Sequence, residues 1–206
     1  MTGNSNSARR PEIVSFDRAG FDAACAQLMR QVLVDFKPDA LIGIRTGGLY
    51  VADAMARSLD SPLPVLSITC RRASTAYKER SSTLKSLVTS LPRPIVDKLR
   101  VLEHVMLTRR PRPVADQPYH FDPAELALLD DWLSQAGDSP SLLVVDDAID
   151  TGATLSHVMD MLQRQAPQQA RIKSAVITVT TRQPLIQPWY SLYDRQLCRF
   201  PWSLDA

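Results

Sequence analysis

Residues 142–154 read LLVVDDAIDTGAT. The apolar run Leu142–Val145 predicts a buried strand, SLLVVD, that ends on Asp146. Beside Asp146 stands a second carboxylate, Asp147. After Ala148 and Ile149, the turn Asp150, Thr151, Gly152, Ala153 and Thr154 opens a helix expected to run to Gln165. Backbone N–H groups at a helix start, aided by the two threonine hydroxyls, form an anion cradle suited to a phosphate monoester. Gly152 lets the backbone come close to such a group. Asp146 and Asp147 would repel phosphate. They suit vicinal hydroxyls as hydrogen-bond acceptors, or a magnesium ion reached through water. A loop that holds a phosphate and a diol together describes a ribose 5-phosphate.

The same pattern recurs upstream. DALIGI (39–44) is a short branched apolar run followed by Arg45, Thr46, Gly47 and Gly48, and then by a helical stretch, LYVADAMARSL (49–59). Only seven glycines occur in the chain, and Gly43, Gly47, Gly48 and Gly152 all fall in these two segments. An amphipathic helix over 17–36 precedes them, with Phe21, Cys25, Leu28, Val32 and Phe36 at helical spacing. PVLSITC (64–70) and RIKSAVITVTT (171–181) read as further strands. This β-turn-α-β order predicts an α/β fold with a mostly parallel sheet flanked by helices. Ligands bind beyond the carboxyl ends of such strands, where both glycine-bearing turns lie.

Residues 71–137 interrupt the pattern and predict a mainly helical insertion or cap within one domain spanning 1–206. The insertion opens with the basic stretch CRRASTAYKERSSTLK and continues with a helical pattern over 95–107. After a proline-rich stretch comes a last helix with Asp122 as N-cap, Pro123 at its first position and Glu125 in its first turn.

Composition sets the outer limits. The chain has 206 residues, 45% apolar and 22% charged, in the range of ordinary globular proteins. With 24 Lys and Arg against 22 Asp and Glu, the net charge of +2 argues against a nucleic-acid partner. No apolar run approaches the roughly 20 residues of a membrane span, so no membrane association is expected. The polar start MTGNSNSARR lacks the apolar core of a signal peptide, and a cytoplasmic location is expected. Cys25, Cys70 and Cys198 are too scattered for a disulfide framework or zinc knuckle. His104, His120 and His157 form no ligand spacing and read as surface or packing residues. A Walker A loop requires a GKS or GKT that is absent. Ala148 and Ile149 stand where an EF-hand needs oxygen ligands.

VDDAIDTGAT closely resembles the phosphoribosyl pyrophosphate loop of type I phosphoribosyltransferases, nearest to the purine (xanthine/hypoxanthine) type. The resemblance covers roughly residues 39–70 and 141–202. It implies that Asp146 and Asp147 bind the ribose hydroxyls and Mg²⁺ and that Asp150, Thr151, Gly152, Ala153 and Thr154 wrap the 5-phosphate. It also implies that Asp150 manages a proton on the base. Arg45, Thr46, Gly47 and Gly48 match the family's pyrophosphate turn, where a strained or cis peptide can occur. The family's flexible loop falls at Arg71, Arg72, Ser74, Tyr77, Lys78 and Arg80. The ending CRFPW is similar to the xanthine/hypoxanthine subgroup, which makes Trp189, Tyr190, Phe200 and Trp202 candidates for the base pocket. Arg182 replaces the usual lysine that reads a purine carbonyl. For each ring, sealing the C-terminal strand into the core is an equal alternative.

The expected activity is transfer of phosphoribose to a nitrogenous base, a purine first, with Mg²⁺ as cofactor and release of pyrophosphate. The same residues would serve the reverse reaction. The expected partners are phosphoribosyl pyrophosphate and a small base, in a homodimer. The alternatives are a non-purine acceptor, or a sensor of phosphoribosyl pyrophosphate with little or no catalysis.

Overall fold

The computed structural model describes residues 13–72 and 119–203. The helical pattern at 95–107 and the loop candidates Ser74, Tyr77, Lys78 and Arg80 lie outside the described residues, as does His104. In chain order the elements are β1 (Ile13–Ser15), α1 (Arg18–Leu33), β2 (Ala40–Ile44), α2 (Gly47–Arg57), β3 (Val65–Ile68) and β4 (Cys70–Arg72). After the undescribed stretch come β5 (Tyr119–Phe121), α3 (Pro123–Gln135), β6 (Ser141–Ile149), α4 (Ala153–Gln165), β7 (Arg171–Val179), β8 (Tyr190–Asp194) and β9 (Leu197–Arg199).

Five strands form a parallel sheet in the order β3-β2-β6-β7-β8. Its central strands are apolar on both sides, as helices on both faces require. Leu41, Leu143, Val145, Ala175 and Ile177 face α1 and α2, where Phe21, Leu28, Val32, Val51 and Met55 meet them. Ala40, Ile42, Leu142, Val144 and Val176 face the other way, against Leu155, Val158 and Leu162 of α4 and Leu129 and Leu133 of α3. Period-two alternation along each strand therefore feeds two cores.

α3 starts as its sequence predicts: the Asp122 side chain accepts from the Ala124 N–H at 2.9 Å, with Pro123 at the head of the helix. Its inner face is built into the second core, where Leu129 is fully buried.

Several boundaries differ from the sequence reading. PVLSITC is split into β3 and β4 at Thr69, whose N–H donates to the Glu125 carboxylate instead of a ladder carbonyl. β4 then pairs with β5 antiparallel, setting Arg71 opposite His120 and Arg72 opposite Tyr119. β6 runs past Asp146 to Ile149, since its pairing with β7 continues through Ala148↔Thr178 and Ile149↔Val179. Near the C-terminus, β9 pairs with β1 in parallel, and the Phe16 N–H donates to the Arg199 carbonyl at 2.9 Å. At the amino edge of the sheet, Lys173 Nζ donates to Asp35 Oδ2 and to the Tyr190 hydroxyl, which donates to Asp35 Oδ1, each at 2.7 Å.

Leu129→Ala removes a fully buried side chain from between α3 and the sheet. It is expected to lower the unfolding free energy by about 2–4 kcal/mol. Urea denaturation of the variant checks this, and a loss below about 1 kcal/mol would mean that α3 adds little to the core.

Candidate active site

Parallel strands deliver their following turns to one edge, so the turns after β2 and β6 meet. The register sets Gly43 of β2 opposite Val145 of β6, one residue before the paired carboxylates. From there the chain turns through Arg45–Gly48 into α2, and the peptide bond between Arg45 and Thr46 is cis. The two turns touch closely. A Cβ on Gly47 would fall on the Asp147 carboxylate, and one on Gly48 would strike the Val145 carbonyl oxygen and lie 2.8 Å from Asp146 Cα. Gly43 is equally constrained, its Cβ position lying 2.6 Å from Leu49 Cα. The glycines clustered in the sequence therefore give the carboxylates room beside the start of α2.

Asp146 and Asp147 are held by local amides: the Asp147 N–H donates to Asp146 Oδ1 at 2.9 Å and the Ala148 N–H to Asp147 Oδ1 at 3.0 Å. Burial pushes the Asp146 carboxyl well above the ordinary carboxylate range, and the Asp147 charge pushes it further. Burial also raises Asp147, against hydrogen bonds from its neighbours. Two carboxylates with raised proton affinity are a donor set that a hard divalent cation relieves. Mg²⁺ commonly takes only one or two protein carboxylates, with substrate phosphate and water completing its shell. The residues present therefore fit that ion, although among the described residues no group of three or more His, Cys, Asp and Glu could hold a metal without such help.

The turn 150–154 opens α4 with Gly152 at its cap. Gly152 has φ +77°, a left-handed conformation that glycine adopts without strain. A Cβ there would also lie 3.3 Å from the Leu185 amide nitrogen and 3.2 Å from that of Ile186. The Leu185 N–H donates to the Thr151 carbonyl at 2.8 Å, so the 185–186 segment packs on the turn. Gly152 thus has a structural task that its sequence context does not announce. The Thr151 hydroxyl accepts a long hydrogen bond, 3.4 Å, from the Ala153 N–H. In the next turn of α4, the His157 ring stacks on Tyr119 of β5, with centroids 3.8 Å apart, and its Nδ1 lies 2.7 Å from the Ala153 carbonyl. His157 is a packing residue, as its isolated position in the sequence suggests.

Arg45 is engaged from behind. Its Nε donates to Glu125 Oε1 at 2.6 Å, and the same oxygen accepts from the Ser67 hydroxyl at 2.7 Å. Burial works to raise the Glu125 carboxyl, but hydrogen bonds from Ser67, Thr69 and Arg45 outweigh it and hold the group below the usual range. In the sequence Glu125 is only an acid in the first turn of a helix, and nothing local signals its long-range partners.

The remaining expected site residues are placed unevenly. Arg182 is exposed in the segment between β7 and the 185–186 contact, on the side of the 150–154 turn. Arg71 and Arg72 lie in β4, at the point where the described residues break off. Trp189 does not reach the carboxyl edge. Its backbone N–H donates to Ser174 Oγ at 3.4 Å and Lys173 Nζ lies 4.8 Å from its ring centroid, which puts it near the amino end of β7. Tyr190 lies at that same end, tied to Lys173 and Asp35. Phe200 is only 5% exposed and stacks on Trp202 at 4.9 Å and on Phe16 at 5.9 Å, so its ring belongs to the core. Trp202 packs on Phe21 at 4.9 Å and Tyr50 at 4.8 Å, closing the aromatic cluster over α1 and α2.

The model of the phosphoribosyl transferase domain matches residues 17–196. The chain therefore belongs to the phosphoribosyltransferase family, a class of pentosyltransferase enzymes. Among solved structures it is similar to a purine phosphoribosyltransferase from Pyrococcus horikoshii, at 20% identity and a TM-score of 0.55, covering 93% of this chain and 94% of that one. A xanthine-guanine-hypoxanthine phosphoribosyltransferase from Helicobacter pylori gives 16% identity and 0.56, covering 94% and 95%. A hypothetical protein from Neisseria gonorrhoeae with bound ppGpp gives 14% and 0.56, covering 94% and 90%. At these identities the likenesses establish the fold. Comparison with curated proteins returns no match.

Because burial and mutual repulsion raise the Asp146 carboxyl, the folded state holds its proton more tightly than the unfolded chain does. Stability is therefore lost as pH rises from the ordinary carboxylate value through the raised one, and stays lost at neutral pH. Asp146→Asn keeps an oxygen for the Asp147 amide and removes the charge. It is expected to raise the melting temperature of the unliganded protein at pH 7 by a few degrees, on the order of 1 kcal/mol, with the gain shrinking toward about pH 4. Thermal unfolding across pH checks this, and a lower melting temperature for the variant at pH 7 would show that the charge stabilises the fold.

Proposed function

We propose that the protein transfers phosphoribose from phosphoribosyl pyrophosphate to a nitrogenous base, a purine first, and releases pyrophosphate. The observation that carries this reading is the contact of the Gly47–Gly48 turn with Asp146 and Asp147. A turn suited to pyrophosphate and a carboxylate pair suited to the ribose diol thereby form one site, flanked by the 150–154 phosphate turn. The purine and xanthine-guanine-hypoxanthine phosphoribosyltransferases among the similar structures favour a purine acceptor.

Each residue has a task set by charge. Asp146 and Asp147 accept hydrogen bonds from the ribose hydroxyls and would hold Mg²⁺ with the substrate's help. The ion, when bound, would neutralise charge on pyrophosphate. The amides at the start of α4 and the Thr151 and Thr154 hydroxyls receive the 5-phosphate. The amides at the start of α2, with Arg45, receive the pyrophosphate, whose charge grows as the bond to the anomeric carbon loosens. Asp150, between phosphate turn and acceptor, manages the proton on the reacting heterocycle. Arg182 is the candidate for the acceptor's exocyclic oxygen. A soluble homodimer in the cytoplasm is the expected setting.

An acceptor screen with phosphoribosyl pyrophosphate and Mg²⁺, read by pyrophosphate release, is expected to give turnover with at least one purine. Asp150→Asn should lower that turnover about 10²–10⁴-fold while binding of phosphoribosyl pyrophosphate survives. Turnover that ignores the substitution would overturn the role of Asp150 and the purine reading. Ligand binding without turnover on any acceptor would favour a sensor.

A further inference from the structure

We propose that Glu125 is a positioning residue for Arg45: it grips the guanidinium by Nε and leaves the terminal amino groups for the leaving pyrophosphate. The assignment rests on the phosphoribosyl transfer proposed above. Three donors from two segments distant in sequence from α3 meet at this carboxylate. Arg45, in the turn after β2, donates through Nε at 2.6 Å. Ser67 in β3 donates through its hydroxyl at 2.7 Å, and Thr69, just beyond β3, donates its backbone N–H to the other oxygen.

The asymmetry of the pair carries the inference. An ion pair between two exposed side chains contributes little and is often incidental. Here the Glu125 side chain is 11% exposed and the Arg45 side chain 49%. The anion is the fixed member, held by Ser67 and Thr69 whatever Arg45 does. The cation reaches outward from it. A guanidinium is a rigid planar fork, so holding one edge by Nε sets the direction of the rest. Among the described residues, no other hydrogen bond engages that guanidinium. Arg45 is also tied at its own N–H, which donates to the Ile68 carbonyl at 2.9 Å, so both ends of the residue are referenced to β3. A pre-aimed donor costs less order when charge develops on the ligand, the condition for effective electrostatic stabilisation.

The substitution Glu125→Gln keeps the size and loses the charge. In the full-length protein with Mg²⁺, titration calorimetry with inorganic pyrophosphate and steady-state kinetics are the two readouts. The expected result is a roughly 10- to 100-fold loss in pyrophosphate affinity and a similar rise in KM for phosphoribosyl pyrophosphate. KM for the acceptor should stay within about twofold. Arg45→Lys lacks the Nε donor, so Glu125→Gln should add little to it, as expected for two residues acting as a unit. A folded Glu125→Gln protein with unchanged pyrophosphate affinity and KM would overturn the assignment, as would losses that simply add in the double variant. If Glu125→Gln fails to fold, Ser67→Ala, which removes one support of the same carboxylate, is expected to give a smaller loss of pyrophosphate affinity, and none would overturn the proposal. Wild-type protein that binds neither pyrophosphate nor phosphoribosyl pyrophosphate would overturn the functional reading itself, whereas a failure confined to Glu125→Gln leaves that reading standing.

Discussion

The close approach of the Gly47–Gly48 turn to Asp146 and Asp147 is the constraint on which the rest of the site depends. Neighbouring parallel strands β2 and β6 end at the same edge, and their register brings one turn onto the other's carboxylates. Any side chain on either glycine would occupy the space of those groups or of the strand behind them. The same closeness desolvates two adjacent acids, which raises their proton affinity and prepares them for a ligand or cation that supplies the missing positive charge. In the proposed site, a cost to the unliganded fold and the binding of ligand would thus have one cause.

Around this contact, a second layer holds the cationic side of the site. Glu125 sits at the start of α3, which is both anchored in the core by Leu129 and linked by β4 and β5 to the undescribed stretch. The helix therefore couples the stability of the second core to the direction of Arg45. β5 adds a contact beside the 150–154 turn, through Tyr119 against His157 in α4. The C-terminal end of the stretch that interrupts the α/β pattern thereby touches the site's walls, through Tyr119 and Glu125.

Much of this was legible in the sequence, because local rules suffice where the chemistry is local. An apolar run, two acids, a threonine–glycine turn and a helix lie consecutively at 142–165, and the structure keeps that order. Asp122 and Pro123 start α3 by side-chain capping that requires no distant partner. What was not legible needed tertiary contacts. β1 and β9 are three residues each and carry no periodicity, so only their pairing defines them. The break at Thr69 depends on a carboxylate 56 residues away. Trp189 and Phe200 share an aromatic-rich tail, yet one sits just before β8 at the amino edge and the core takes the other. Ring content alone could not separate a ligand platform from packing.

The most direct test is titration of phosphoribosyl pyrophosphate with Mg²⁺ into wild-type and Gly47→Ala protein, with the melting temperature of each taken alongside. The account predicts wild-type binding, a variant that still unfolds cooperatively, and a loss of affinity of at least about 100-fold as the added methyl displaces the Asp147 carboxylate. Unchanged affinity in the folded Gly47→Ala protein would contradict it, since the two turns would then not share one ligand.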